Sequence, residues 1–342
     1  RKHYFCINTT GGFHMNIRMK RSAALILTAA LLLAGSAQAL FGLGKSKTDA
    51  PAPENAPAAR DLEIRTYRGI PYQGQLEGTY PDGGDLTFAV VDQPKKGTVT
   101  VEGANFTYTP KNNAAGADSF TYTAANSAGT MSPPAVVTVT IEKTRSGVTY
   151  ADTDAATATA AQDLAEQGIF TGAKIGEKWY FEPDRTVSRG EFLAMTMETA
   201  GIEVTDVTMT GFCDDEAIPT WARSYAAAGV AEGIVQGKPT ENGAAFSCGA
   251  PISYSEAATV LNRVLDLGDV ELAVWYADRE AMPSWAAQAV GNMEALNVLS
   301  AGSFGSDRLE TAVTRADAAR MLSAAGVLLR GEEKSGLLDW LQ

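Results

Sequence analysis

Three short boxes in the C-terminal half carry the residues best placed to do chemistry. They read Ser188-Arg189-Gly190-Glu191, Ser253-Tyr254-Ser255-Glu256 and Thr314-Arg315-Ala316-Asp317. A Ser or Thr followed three residues later by an acid is a capping box: the hydroxyl takes the N3 amide and the acid reaches back to the cap. Ser188, Ser253 and Thr314, with Glu191, Glu256 and Asp317, therefore read first as helix-starting residues. The residue at N1 matters for binding. That position presents its side chain outward, beside free backbone N–H groups and the positive end of the helix dipole. Such a site favours a carboxylate, which Arg189 or Arg315 can grip bidentately; the alternative is that both are ordinary exposed N1 residues. Tyr254 removes the charge from the second site and leaves only stacking on a ring.

Each box closes one copy of a longer unit with a period of roughly 62 to 64 residues. Each copy opens on aromatic-x-Asp: Tyr150-Ala151-Asp152, Phe212-Cys213-Asp214 and Tyr276-Ala277-Asp278. Asp152, Asp214 and Asp278 read as turn or capping residues, with ligand contact as the alternative. The second and third copies continue with Pro219-Thr220-Trp221-Ala222 and Pro283-Ser284-Trp285-Ala286. Thr220 and Ser284 can N-cap, and Trp221 and Trp285 start the helix as large buried anchors. Small-apolar turns follow: Gly168 to Gly172, Gly233 to Gly237 and Asn297 to Gly302. Units repeated at a fixed spacing bury their faces against one another and are read as one body.

Six helical stretches make three pairs: 155–166 with 189–200, 221–232 with 255–267, and 285–296 with 315–329. Upstream, residues 61–143 alternate aromatic or β-branched residues with Thr, as in Asn105-Phe106-Thr107-Tyr108-Thr109. Short alternating strands separated by turn residues predict one small all-β sandwich. The fold class expected is thus multidomain, a β-sandwich followed by an all-α repeat body. Residues 40–60 are rich in Pro and Ala and read as a linker. Residues 331–342 end in an amphipathic scrap, Leu337 to Leu341, expected to fold back as a cap.

The chain has 342 residues, 45% hydrophobic, and a formal net charge of −12. Residues 1–39 read as upstream residues plus a secretory signal peptide: a basic stretch from Met15 to Arg21, an apolar run from Ala23 to Leu33, and Ala37-Gln38-Ala39 as a cleavage site. Cleavage after Ala39 would remove His3, His14 and Cys6, leaving a chain without histidine. Ser-His-Asp and Cys-His catalysis and His-ligated metals are excluded from such a chain. Acidic side chains outnumber basic ones about two to one in the repeats, which argues against nucleic acid as a partner. Cys213 and Cys248 remain, and export permits either a disulfide between them or two small buried thiols.

Two resemblances follow from these motifs. Pro94-x-x-Gly97-Thr98-Val99, Phe106-Thr107-Tyr108-Thr109-Pro110 and Gly116-x-Asp118-Ser119-Phe120 resemble bacterial Ig-like or cadherin-like surface modules. Cadherin-like modules often bind Ca²⁺, for which Asp82, Asp85, Asp118 and Asn126 offer oxygen atoms. Turn formation is the stronger reading of the four. No other cofactor or metal is expected. Aromatic-x-Asp, Pro-x-Trp-Ala, Gly-Ile-Val-x-Gly, Phe181-x-Pro183-Asp184 and Thr-Arg-Ala-Asp together resemble S-layer homology (SLH) repeats, at 148–204, 210–268 and 274–330. The first copy departs by lacking Pro-x-Trp-Ala and by carrying Gly190 where Ala is usual.

The SLH resemblance implies a pseudo-trimer around a central helical bundle. It also implies non-covalent attachment to pyruvylated secondary cell wall polysaccharide on peptidoglycan, bound in grooves between copies where the Arg of the box meets the sugar acid. Arg189, Arg315, Tyr254, the three Asp residues and both Trp residues are the candidate saccharide contacts. The function expected is that of a non-enzymatic, secreted, wall-associated protein with the sandwich as spacer or adhesive unit. The alternatives are an adhesin or array component whose sandwich binds a protein or glycan and, remotely, a wall-active hydrolase using two carboxylates. No membrane partner is expected once the signal segment is removed.

Overall fold

A computed structural model describes residues 56–331, together with the backbone of a short strand pair, Cys6–Asn8 with Gly12–His14. The expected signal segment beyond that pair, most of the linker and the tail after 331 lie outside the described residues. No described helix is long and apolar enough to cross a membrane.

The N-terminal unit is a two-sheet sandwich. One sheet runs β1 (Leu62–Tyr67), β7 (Ala135–Glu142), β6 (Gly116–Ala125) and β3 (Thr87–Asp92). The other runs β2 (Tyr72–Gln75), β5 (Asn105–Pro110) and β4 (Gly97–Glu102). All pairings are antiparallel except β1 with β7, where Val137 lies opposite Leu62 and Glu142 opposite Tyr67. The period of two does the sorting: Val137, Val139 and Ile141 face inward while Val136, Thr138 and Thr140 face out. Tyr108, Tyr122, Phe106 and Phe120 fill the core.

The turn motif before β4 has a packing reason. A side chain at Gly97 would strike the Tyr108 ring at 2.6 Å. Asp118 holds that turn by accepting from the Lys95 and Lys96 amides and from the Tyr108 hydroxyl. Asn126 anchors the turn at the other end of β6 through the Ala128 and Thr130 amides. Strand geometry separates Asp118 from Asn126 by roughly 25 Å, so the four oxygen-bearing candidates cannot share one ion. Among the described residues no His, Cys, Asp or Glu cluster suits a metal.

The C-terminal unit contains α1 (Ala155–Gln167), α2 (Arg189–Ala200), α3 (Thr220–Ala231), α4 (Tyr254–Leu265), the four-residue α5 (Leu272–Trp275), α6 (Ser284–Ala295) and α7 (Arg315–Arg330). Capping boxes close both ways at Ser188/Glu191 and Ser253/Glu256. At Thr314 the hydroxyl caps the Asp317 amide but also meets the Asp317 carboxylate, at 2.9 Å. Asp is one methylene shorter than Glu, and no return bond to the cap amide forms. Thr220 and Ser284 are first helical residues rather than caps. Pro219 and Pro283 stand at the cap position instead, with their carbonyls taking the Ala222 and Ala286 amides.

The copies close on themselves as a ring. The extended segments before α2, α4 and α7 exchange backbone hydrogen bonds in a cycle: Val187 N–H to Val313 O at 2.9 Å, Val313 N–H to Ile252 O at 2.9 Å, and Ile252 N–H to Val187 O at 3.0 Å. All three side chains are buried. The second helices α2, α4 and α7 touch one another at the centre, and each takes the first helix of the next copy: α3 on α2, α6 on α4 and α1 on α7. One continuous hydrophobic core runs through all three copies.

Two hairpins were not expected. Ala173–Ile175 pairs with Lys178–Tyr180 in the first copy, and Lys238–Thr240 with Gly243–Ala245 in the second. They start from the left-handed Gly172 and Gly237, where an added side chain would come within 2.2 Å of Tyr180 O or 2.9 Å of Ala245 O. Only glycine permits that crossing. In the third copy the corresponding stretch forms turns and a short 3-10 segment, Asp307–Glu310.

Candidate functional site

The helix starts are not open anion cradles. The Arg189 and Gly190 amides donate to Ala250 O and Cys248 O, the Arg315 and Ala316 amides to Arg185 O and Pro183 O, and the Tyr254 amide to Thr311 O. The neighbouring copy thus consumes the N–H groups that sequence reasoning left free. These bonds fix where each N1 side chain points.

Arg315 does not project outward; it is 4% exposed. Its Nη1 donates to Phe181 O at 2.9 Å and to Glu182 at 2.8 Å, while the guanidinium lies 4.8 Å from the centre of the Phe170 ring. Nη2 is buried without a hydrogen-bond partner, as is the Tyr150 hydroxyl. Burial, and then the charge of Arg185, push Arg315 below its ordinary pKa.

Arg189 repeats this placement one copy on. Its Nε donates to Phe246 O at 2.9 Å, and the guanidinium lies 5.8 Å from the Phe246 ring centre. Nη1 reaches Glu256 at 3.0 Å. Lys238, on the second copy's hairpin, meets the other Glu256 oxygen at 2.7 Å. Burial opposes ionisation of Glu256, but Lys238, Arg189 and the Ser253 amide outweigh it and hold the carboxyl below its usual range. Around Arg189 opens a cavity of about 580 Å³, bounded by α2, the second hairpin, α4 and the start of α6. Phe246, Lys238, Glu256, Arg263 and Trp285 line it. Trp285 is 56% exposed and stands at the edge of this cavity rather than in the core. Trp221 is half-buried and faces the Gly190 turn of α2.

Tyr254 takes the N1 place in the remaining junction and is buried. Its hydroxyl bonds Asp317, and Arg308 donates to that hydroxyl at 3.2 Å while lying 4.6 Å from the ring centre. The junction therefore keeps a cation after all, contributed by Arg308 of the third copy. Asp317 stays below the ordinary carboxylate range: burial opposes this, and Tyr254, Arg320 and Thr314 prevail. Compared with Arg189, the charge comes from the opposite wall.

Asp152 and Asp214 act as clamps. Asp152 accepts from the Phe181 and Glu182 amides, and Asp214 from the Phe246 and Ser247 amides, all at 2.8 Å. Glu182 and Ser247 both hold a left-handed backbone, with φ of 56° and 57°. The clamp stabilises this kink, which aims the Phe181 and Phe246 carbonyls at Arg315 and Arg189. Asp278 makes no such clamp; Glu294 of α6 instead accepts from the Gly302 and Phe304 amides.

Cys213 and Cys248 are both free, the first exposed and the second buried. Burial pushes the Cys248 thiol up to about 11. Its sulfur occupies the space a side chain at Gly190 would need, 2.4 Å from the built position. That contact explains the departure from Ala in the first box.

Lys238, Arg263 and Arg308 escaped sequence reasoning. Each reaches its groove from a hairpin, a helix's last turn or a 3-10 segment, and no motif spacing marks them. Sequence comparison supplies the remaining bearings. Residues 54–142 match the family described as Bacterial Ig domain. A segment of 101 residues is 27% identical to the surface-layer 125 kDa protein of Lysinibacillus sphaericus, covering 30% of this chain and 8% of that one. Among solved structures, an endo-fucoidan hydrolase of glycoside hydrolase family 107 is similar at 20% identity and TM-score 0.24, over 28% of this chain and 15% of that one. The PKD domain of human KIAA0319 is similar at 12% identity and TM-score 0.20, over 31% of this chain and 98% of that domain.

Proposed function

We propose that the protein is a non-enzymatic bacterial surface protein whose helical ring is an SLH pseudo-trimer that holds an acidic wall polysaccharide. The observation that carries this is the cavity at Arg189, where a partly buried cation faces aromatic walls. Its volume lies within the range of about 300–1,000 Å³ usual for small-ligand pockets, enough for a sugar residue or two. Trp285 offers an exposed face for stacking, and Lys238 and Arg263 add charge of the sign that a pyruvyl or uronic carboxylate needs. The two orphaned donors at Arg315 and Tyr150 support a second, tighter anion site. The likeness to a surface-layer protein agrees with this reading, and the Ig-like sandwich is then a spacer or adhesive unit. Export by a cleaved signal segment belongs to the same proposal. So does the absence of catalysis: Glu256 and Asp317 are engaged in helix starts and ion pairs.

Pulldown on purified cell wall sacculi tests it. Arg189→Ala is expected to lower retention on the order of tenfold or more, and Lys95→Ala in the sandwich to leave it unchanged. Equal retention of both variants would remove the cavity from the account.

A further inference from the structure

Two of the three junctions in the helical ring are tied by the chain itself, which runs from α2 into α3 and from α4 through α5 into α6. The third, α7 on α1, has no chain connection between its helices and must be closed by contact alone. The sandwich sits on that junction. Asp163 of α1 is 1% exposed and receives bonds from both sides. Arg65 of β1 reaches it at 2.8 Å, and the Tyr67 hydroxyl donates to its other oxygen. From α7, the Ser323 hydroxyl donates to Asp163 at 2.5 Å. Thr159, one turn earlier on α1, accepts or donates with Thr66 at 2.9 Å and bonds Pro71 O at 2.9 Å. At the end of α1, Glu166 takes the Arg145 and Ser146 amides of the connecting segment. A buried carboxylate persists only when its hydrogen-bonding capacity is filled, and here Arg65 and Tyr67 of the sandwich supply two of the three donors just named.

We propose that the sandwich is a clasp on the ring: by holding Asp163 it keeps α1 seated on α7. The groove at Arg315 depends on that seating, because Arg315 belongs to α7 whereas Phe170 follows directly from α1. The sandwich is then more than a spacer. It is a structural part of the joint that no direct linker ties, whatever occupies the groove.

Amide hydrogen exchange on the full chain tests the clasp. In Arg65→Ala, amides of α1 and α7 should exchange on the order of tenfold faster, with α4 and α6 unchanged. Arg65→Lys, which keeps the charge, should lie between this variant and the parent. Should Arg65→Ala not fold, Tyr67→Phe carries the same contrast with only one hydroxyl lost. Exchange in α1 and α7 that matches the parent would overturn the proposal, and so would an equal rise in all helices.

Discussion

Gly190 and Cys248 show how a single departure from a repeat acquires its reason. The first box carries Gly where a side chain would collide with the buried Cys248 sulfur, and the third copy can keep Ala316 because Pro183 stands at the matching place. Gly190→Ala should therefore destabilise by about 1–3 kcal/mol, the usual cost of overpacking. Combined with Cys248→Ala the loss should largely vanish, read as a non-additive cycle in denaturant unfolding. Additive losses would contradict the contact. The caps at Ser188, Ser253 and Thr314 were legible in the sequence, since a capping box is a local signal. The burial of Arg315 was not, because it depends on carbonyls of a copy more than a hundred residues away.

Helices were legible for the same local reason, and their starts at Arg189 and Arg315 agree with the boxes to the residue. The hairpins at 173–180 and 238–245 were not legible, since three-residue strands are too short to show a period. Their importance lies in carrying Lys238 and in presenting Phe181 and Phe246. The acids at N3 of α4 and α7 link these elements electrically, and their lowered pKa values set a direction for pH. Glu256 and Asp317 ionise more readily folded than unfolded, so their stabilisation is complete above the ordinary carboxylate values of about 3.9–4.3 and drains away as acid drops the pH through the lowered folded ones. Unfolding midpoints in urea should fall between about pH 5 and pH 3, and Glu256→Gln should flatten that fall. An equally steep fall in Glu256→Gln would assign the acid sensitivity elsewhere.

Across the molecule, the division into a sandwich and a helical body was legible from the change of period near residue 143. Ring closure and the seating of the sandwich on α1 were not, because neither leaves a mark in hydrophobic patterning. The surface is acidic overall, with a net charge of −12. Against that background the cations of the junctions, Arg189, Lys238, Arg263, Arg308 and Arg315, are concentrated where copies meet. An acidic saccharide approaching such a chain is repelled generally and attracted locally, which favours recognition in the grooves over diffuse adhesion. Calorimetric titration of the whole protein with a pyruvylated wall-polysaccharide fragment, beside the same fragment stripped of pyruvate, tests that idea most directly. The account predicts saturable binding of the pyruvylated fragment and a loss on the order of tenfold or more without the carboxylate. Equal affinity for the two fragments would contradict it.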